Sequence, residues 1–331
     1  MIRIVTDSAA DLTARDLETP GVTVVPMGIT FADGTATVDD GSMTKDEFFT
    51  RLAEDSKLPR TSQPSPASFI ELFEEAADAG DEVIVITIAQ KLSGTYQCAS
   101  LAAAETDAKV YIIDSETATQ GEAIIVREAI RLREQGLSAS RIAAELETFK
   151  RRVRVVAIVD SLKHLQKGGR LPAAVAIVGG ALGIKPVLAL SDGAIHLVDK
   201  GRGRPGALVA MYRQLDKQGG VDPAYGYTLL YSDDKQLTAP VHHYLHQNLH
   251  LTGGRVGQIG PTWLVWRSSS RNNRFTPIKT ASPRQRGRSL LPGAFCVGYS
   301  GPSPRPGSVG SSDGSNGISV SLLMRRFGSC S

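Results

Sequence analysis

Small hydroxyl residues placed just past an apolar strand are the part of this 331-residue chain best suited to chemistry. Ser93, Gly94 and Thr95 follow the near-continuous β-branched run of Val83, Ile84, Val85, Ile86 and Ile88, and lead into the helix formers Ser100 to Glu105. Strand, polar loop, helix start is the order that offers hydroxyls and first-turn amides to an anionic or polar head group. Ser93 could equally serve as a helix N-cap, or as the nucleophile of a hydrolase or acyltransferase, although no histidine is placed by sequence as its base. A second hydroxyl set, Thr61, Ser62 and Ser65, lies beside Pro64 and Pro66, two prolines that stiffen the loop and hold its hydroxyls in place.

Other patterns have a chemical and a structural reading. Asp7, Asp114 and Asp160 each follow a strand, as an acid/base set or as helix caps. Gly201-Arg-Gly203-Arg-Pro-Gly206 fits GxGxxG, but Asp222, the acid some 20 residues on, falls in a Gly/Pro loop rather than at a strand end. Gly310 to Gly314 fits GxSxG without a preceding strand. His242, His246 and His250 share a helix face with His243 adjacent, yet no carboxylate or thiolate joins them at ligand spacing. Lys167-Gly-Gly-Arg170 is a phosphate cradle without P-loop order, a partner contact, or a helix-ending turn. Cys98, Cys296 and Cys330 form no CxxC and no even framework. Neither a metal nor a cofactor is expected.

The elements that must position these residues alternate. Strands are expected at Ile2 to Val5, Val22 to Pro26, Met27 to Phe31, Val83 to Ile88, Val110 to Ile113 and Val153 to Val159. Helices are expected at Lys45 to Asp55 behind Thr44, Ala67 to Ala77, Gly121 to Gln135, and from Ser138 or Ser140 to about Arg152. Such alternation predicts a doubly wound parallel sheet. Beyond it, Leu162 to Gln166 (capped by Asp160-Ser161), Ala173 to Leu182, Pro205 to Lys217 and Ala239 to Leu249 read as helices, with a strand at Tyr227 to Tyr231. Lys185 to Leu190 and Ala194 to Val198 read as a hairpin turning at Ser191-Asp192-Gly193. The expected fold class is therefore α/β: a parallel-sheet N-terminal domain over residues 1–155, and an α+β second domain over 156–262 whose sheet contains antiparallel strands.

Residues 263–331 differ in character. They hold ten Lys or Arg against one acid, Asp313, whereas the rest of the chain carries 27 basic and 33 acidic residues, giving the overall +3. Fifteen serines, nine glycines and six prolines leave no lasting period, so a disordered basic tail is expected. Asp7 and Asp11 interrupt the opening residues, and the longest apolar stretch, Leu171 to Leu190, contains two prolines, a lysine and several glycines. No leader and no membrane span is expected, and the expected location is cytoplasmic. A nucleic-acid partner is not expected.

Seven motifs occurring in order resemble the DegV family of fatty-acid-binding proteins: Thr6 to Leu12, Val25-Pro26 with Asp33-Gly34, Thr61 to Ser65, Lys91 to Gln97, Ile113-Asp114-Ser115, Lys167 to Leu171, and Ile184-Lys185-Pro186. The resemblance covers roughly residues 1–262. It implies a two-domain, non-enzymatic carrier that holds one long-chain fatty acid such as palmitate between its domains. It also implies that the carboxyl group is presented to a partner kinase, which makes an acyl phosphate for lipid metabolism. Carried over by motif, Thr61 and Ser93 would bond the carboxyl group with Ser62, Gly94 and Thr95 beside them, and Arg170 would lie on the partner surface. Family members end the second domain with a strand and a Gly-x-His-x-Gly-Pro-Gly-like loop whose His also faces the carboxyl group. Here the resemblance stops near Thr262 and no His follows His250. The abrupt switch to Arg, Ser, Gly and Pro is what a shifted reading frame produces, so a core strand and one head-group contact are expected to be missing.

Overall fold

Val83, Ile84, Val85 and Ile86 are all fully buried, because the two faces of their strand go to two different cores. The computed structural model describes residues 1–55, 58–160, 162, 165, 169–171, 183–232, 234–261 and 294–299. Strands β1 (Ile2–Asp7), β2 (Val22–Val25), β6 (Glu82–Thr87) and β7 (Lys109–Asp114) pair in parallel, in the order β2-β1-β6-β7. One face packs Val5, Val83 and Val85 against Phe69 and Phe73 of α3 (Pro66–Asp78) and against Cys98 and Ala99 of α4 (Thr95–Ala104). The other packs Ile4, Ile84 and Ile86 against Ile125 and Ala129 of α5 (Gln120–Glu134) and Ile142 and Leu146 of α6 (Ala139–Phe149). Covered on both sides, such a strand must be apolar at every position. Each large side chain fully buried there is worth about 1.5–3 kcal/mol.

Local sequence explains where these elements begin. Thr44 and Glu47 form a reciprocal capping box at the start of α2 (Lys45–Glu54), and Thr13 with Asp16 does the same for the short α1 (Ala14–Leu17). Ser65 caps α3 with Pro66 at its first position, and Ser138 caps α6.

Two antiparallel-containing sheets flank the parallel one. Strands β3 (Gly28–Thr30), β4 (Ala36–Val38) and β5 (Arg60–Ser62) form a small sheet in the order β4-β3-β5. The six-stranded sheet runs β10-β9-β8-β13-β11-β12, from β8 (Val153–Ile158), β9 (Ile184–Ser191), β10 (Ala194–Arg202), β11 (Thr228–Tyr231), β12 (Arg255–Gln258) and β13 (Ala294–Tyr299). The β9–β10 turn has Asp192 at φ 50° and Gly193 at φ 72°, the two positive values of a tight hairpin turn. Helices α7 (Gly203–Lys217) and α8 (Ala239–Leu249) complete this part. All described residues belong to one unit, Met1–Gly301, and the expected domain division at residue 155 falls inside β8. Among the described residues no helix is long and apolar enough to cross a membrane.

The expectation of an unstructured 263–331 is corrected at β13. Ala294–Tyr299 pairs antiparallel with both β8 and β11, in the middle of the sheet. The run Ala-Phe-Cys-Val-Gly-Tyr, bracketed by Pro292-Gly293 and Ser300-Gly301, is a short buried-strand pattern, and averaging composition over 69 residues hides it. The rest of 262–331, including the GxSxG pattern, lies outside the described residues, as does most of the expected helices at 162–166 and 173–182 with the Ser161 cap. Ending the chain after Pro261 removes β13 and leaves β10-β9-β8 and β11-β12 unjoined. The thermal midpoint, followed by circular dichroism, is expected to fall by roughly 10 °C or more, at about 2–4 °C per kcal/mol. An unchanged midpoint would count against the pairing.

Candidate functional site

The strand order β2-β1-β6-β7 places a topological switch point between β1 and β6, and the loops leaving those two strands meet there. Asp7 ties them together. Its Oδ1 accepts from the Ala9 amide at 3.0 Å, as the N-cap of a 3-10 turn over Ser8–Ala10, and its Oδ2 accepts from the Ile88 amide at 2.9 Å. Asp7 is fully buried, and burial pushes its carboxyl up from 3.8 to about 7 against the pull of the two amide bonds. Asp114 ties the next loop, accepting at Oδ1 from Gln90 at 3.1 Å and Glu116 at 3.0 Å. Asp160 pairs with Lys185. The acid/base reading of these three is thus replaced by backbone ties and an ion pair. Glu122, fully buried on α5, accepts from the Thr6 hydroxyl at 3.0 Å, while its Oε2 has no partner among the described residues. Burial, and then the charge of Asp7, hold the Glu122 carboxyl well above its usual range.

Ser93 and Thr95 leave the same rim. Their hydroxyls are 2.9 Å apart, Ser93 half-buried and Thr95 fully buried. The cap position of α4 is Gly94, with no side-chain cap bond, so the N-cap reading of Ser93 is corrected: its hydroxyl partner is Thr95. Among the described residues no imidazole is bonded to Ser93. Thr61 and Ser62 lie on β5, where Thr61 pairs with Ile29 and Ser62 with Gly28, so the expected loop is a short edge strand. Gln63, which the motif contains but sequence reasoning assigned no role, joins the two hydroxyl sets. Its Nε2 donates to the Cys98 sulfur at 3.3 Å, and its side chain fills the place a Cβ on Gly94 would take. Gly94 has φ −79°, which any residue can adopt. Space for Gln63, not backbone freedom, is therefore what the glycine supplies, and a glycine without a turn role was the only signal in the sequence.

Arg170 approaches from the other side, donating from Nε to the Leu92 carbonyl at 3.1 Å. The β9–β10 turn docks here too: Lys91 Nζ donates to the Asp192 carbonyl at 2.8 Å and the Gly193 amide to the Glu116 carbonyl at 3.1 Å. Between them lies a recess of about 610 Å³, in the size range of small-molecule sites. Leu92, Ile195 and Leu197 give it an apolar surface, and Lys91, Arg170 and His196 give it cationic or basic groups. Lys167 and Gly168, the start of that motif, lie outside the described residues.

The remaining patterns have structural roles. Gly201 and Gly206 touch where β10 turns into α7, and a Cβ on Gly201 would collide with the Gly206 and Ala207 backbone. Those glycines make a tight strand-to-helix turn. His242 and His246 are exposed on α8, with rings 6.2 Å apart and nearly parallel. No group of three His, Cys, Asp or Glu able to hold a metal occurs among the described residues.

The fold and rim define an α/β protein with a polar rim at a parallel-sheet switch point and a second, mixed sheet. A family model described as an uncharacterised protein of the DegV family matches residues 1–266, and the chain belongs to that family. A DegV domain-containing protein of Caldanaerobacter subterraneus subsp. tengcongensis is 34% identical over 261 residues, 78% of this chain and 92% of its own. A Thermus thermophilus DegV family protein, whose structure is described as showing fatty acid binding, superposes with a TM-score of 0.75 at 29% identity, over 90% of this chain and 99% of its own. The Streptococcus pneumoniae Fatty Acid Kinase (Fak) B3 protein loaded with linoleic acid has a TM-score of 0.73 over 90% and 99%. At 22% identity it is a likeness of fold.

Buried carboxyls at the rim make stability depend on pH. From about pH 4 to pH 7 the folded chain holds a proton on Asp7 that the unfolded chain gives up, and Glu122 adds to this in the same direction. Stability is therefore highest at the acidic end of that window and falls as pH rises through it. Glu122→Gln keeps an acceptor for Thr6 and removes one titration. The drop in thermal midpoint between pH 5 and pH 8 should be smaller in this variant than in the parent; equal drops would mean that folding does not raise the Glu122 carboxyl.

Proposed function

We propose that this chain is a carrier that binds one long-chain fatty acid, with the carboxyl group on Thr61 and Ser93, and Ser62, Gly94 and Thr95 beside them. The observation that carries the reading is the joining of the two hydroxyl segments through Gln63, Gly94 and Cys98 at the switch point. The Thermus protein, 29% identical and superposable over 90% of this chain and 99% of its own, is described as showing fatty acid binding, which supports the reading. The hydrocarbon would run from Leu92 along the apolar cluster that includes Met27, Ile29, Phe31, Leu171, Leu188 and Leu190.

Magnitudes divide the labour. A tail of about fourteen methylenes at ~0.8 kcal/mol each contributes on the order of 11 kcal/mol before ordering costs. Each hydroxyl bond to a carboxylate adds about 1.5–3 kcal/mol. The tail supplies most of the affinity, and the hydroxyls fix where the acid sits. Neutral hydroxyls also leave carboxylate oxygens nucleophilic, which suits a carrier that presents the acid to a partner kinase for acyl-phosphate formation. The streptococcal protein's name fits that partner, and Arg170, beside the Ser93 loop, is the proposed contact.

Purified protein, denatured and extracted, should release a long-chain acid detectable by mass spectrometry. Thr61→Ala with Ser93→Ala should weaken binding of added palmitate by roughly a hundred- to ten-thousandfold, from the loss of two bonds worth about 1.5–3 kcal/mol each. No extracted acid, and no heat on titrating delipidated protein with palmitate, would end the carrier reading.

A further inference from the structure

The histidines of α8 are arranged differently from their spacing in the sequence. His250 is the C-cap of the helix, with φ 53°, so it leaves the phase that i, i+4, i+8 implies. His242, His243 and His246 instead line one recess of about 490 Å³, closed from β12 by Val256, and none of the described residues lining it is acidic. His242 and His246 stand one helical turn apart, with ring planes 8° from parallel and ring centres 6.2 Å apart. Two ring nitrogens each about 2.0–2.1 Å from one ion allow ring centres at most roughly 6.5 Å apart. Both side chains are exposed, and the broad second torsion of histidine lets the nitrogens converge without moving the helix. Neighbours steady the rings. His242 meets the Tyr227 ring at a steep angle, 6.3 Å between centres, and the side-chain amide of Gln247 lies 3.2 Å from His246 Nδ1. Turned to present its oxygen, that amide accepts from Nδ1–H and leaves on Nε2 the lone pair a metal takes.

We infer that His242 and His246 form a two-imidazole site for a late transition-metal ion, with Cu²⁺ bound most tightly and water completing the coordination. Imidazole donors without a carboxylate suit Cu²⁺, Ni²⁺ and Zn²⁺ rather than Mg²⁺ or Ca²⁺, and Cu²⁺ heads the order of affinity among the divalent first-row ions. A structural metal centre is closed by four protein ligands. Two ligands at an exposed helix face make an exchangeable site instead. The bound ion ties successive turns of α8 together and so favours the folded chain. This site stands independently of the fatty-acid reading.

The test titrates untagged full-length protein with CuCl₂ by calorimetry, in a buffer that does not bind copper, and records electron paramagnetic resonance at one equivalent. The parent should show a one-to-one site whose spectrum carries nitrogen coupling. His242→Ala and His246→Ala should each weaken binding at least tenfold, while His250→Ala should leave it within twofold. Ni²⁺ and Zn²⁺ should compete more weakly than Cu²⁺ binds, and Mg²⁺ should not compete. No binding by the parent, a loss in His250→Ala as large as in His242→Ala, or displacement of Cu²⁺ by Mg²⁺ would overturn the site. All three substituted side chains are exposed, and circular dichroism of each variant reports that it is folded.

Discussion

A parallel sheet covered on both faces can afford polarity only at its rim. Between the α3/α4 layer and the α5/α6 layer every position of Val83 to Ile86 is apolar, so hydroxyls and carboxyls gather where β1, β6 and β7 end. The amide of Ile88 bonded to Asp7 is the tightest expression of this constraint, because it joins the exits of two neighbouring strands that diverge in sequence. Ser93 and Thr95 follow that tie by five and seven residues. The β5 strand is brought to them by Gln63, and the β9–β10 turn by Lys91 and Glu116. The rim is thus assembled from five separate parts of the chain, with the fully buried carboxyls of Asp7 and Glu122 behind it.

Burial gives these carboxyls an unusual character. Asp7 lies close to the middle of its own titration at neutral pH, and Glu122 is biased toward its protonated form. The cost of placing acids there is met by fixing loop geometry: two amides on Asp7 and two on Asp114 leave the backbone around Ser93 little freedom. A hydroxyl pair can aim a head group only if its backbone is held still.

Much of this was legible in the sequence because local patterns carry it. The β-branched run of β6, the Thr44 and Ser65 caps, and the Asp192-Gly193 turn are each written within a few residues. What escaped depends on distance. Arg60–Ser62 is three residues next to prolines, too short for a period, and becomes a strand only because β3 offers it a partner. Ser93 looks like a cap from its neighbours, yet its hydroxyl turns to Thr95, and Gln63 acquires a role only when Gly94 makes room for it. The strand β13 was hidden by the composition around it.

That same strand has a kinetic consequence. Its neighbours β8 and β11 leave the ribosome first, and neither can complete its pairing until some 35 further residues beyond β12 have been synthesised. Translation at about 5–20 residues per second leaves their open edges waiting for seconds. Joining them closes contacts more than 60 residues apart, which slows the final step further. The nascent chain is therefore expected to pass through a stage in which the parallel sheet is finished and its companion is not, the stage at which a chaperone would find most to hold.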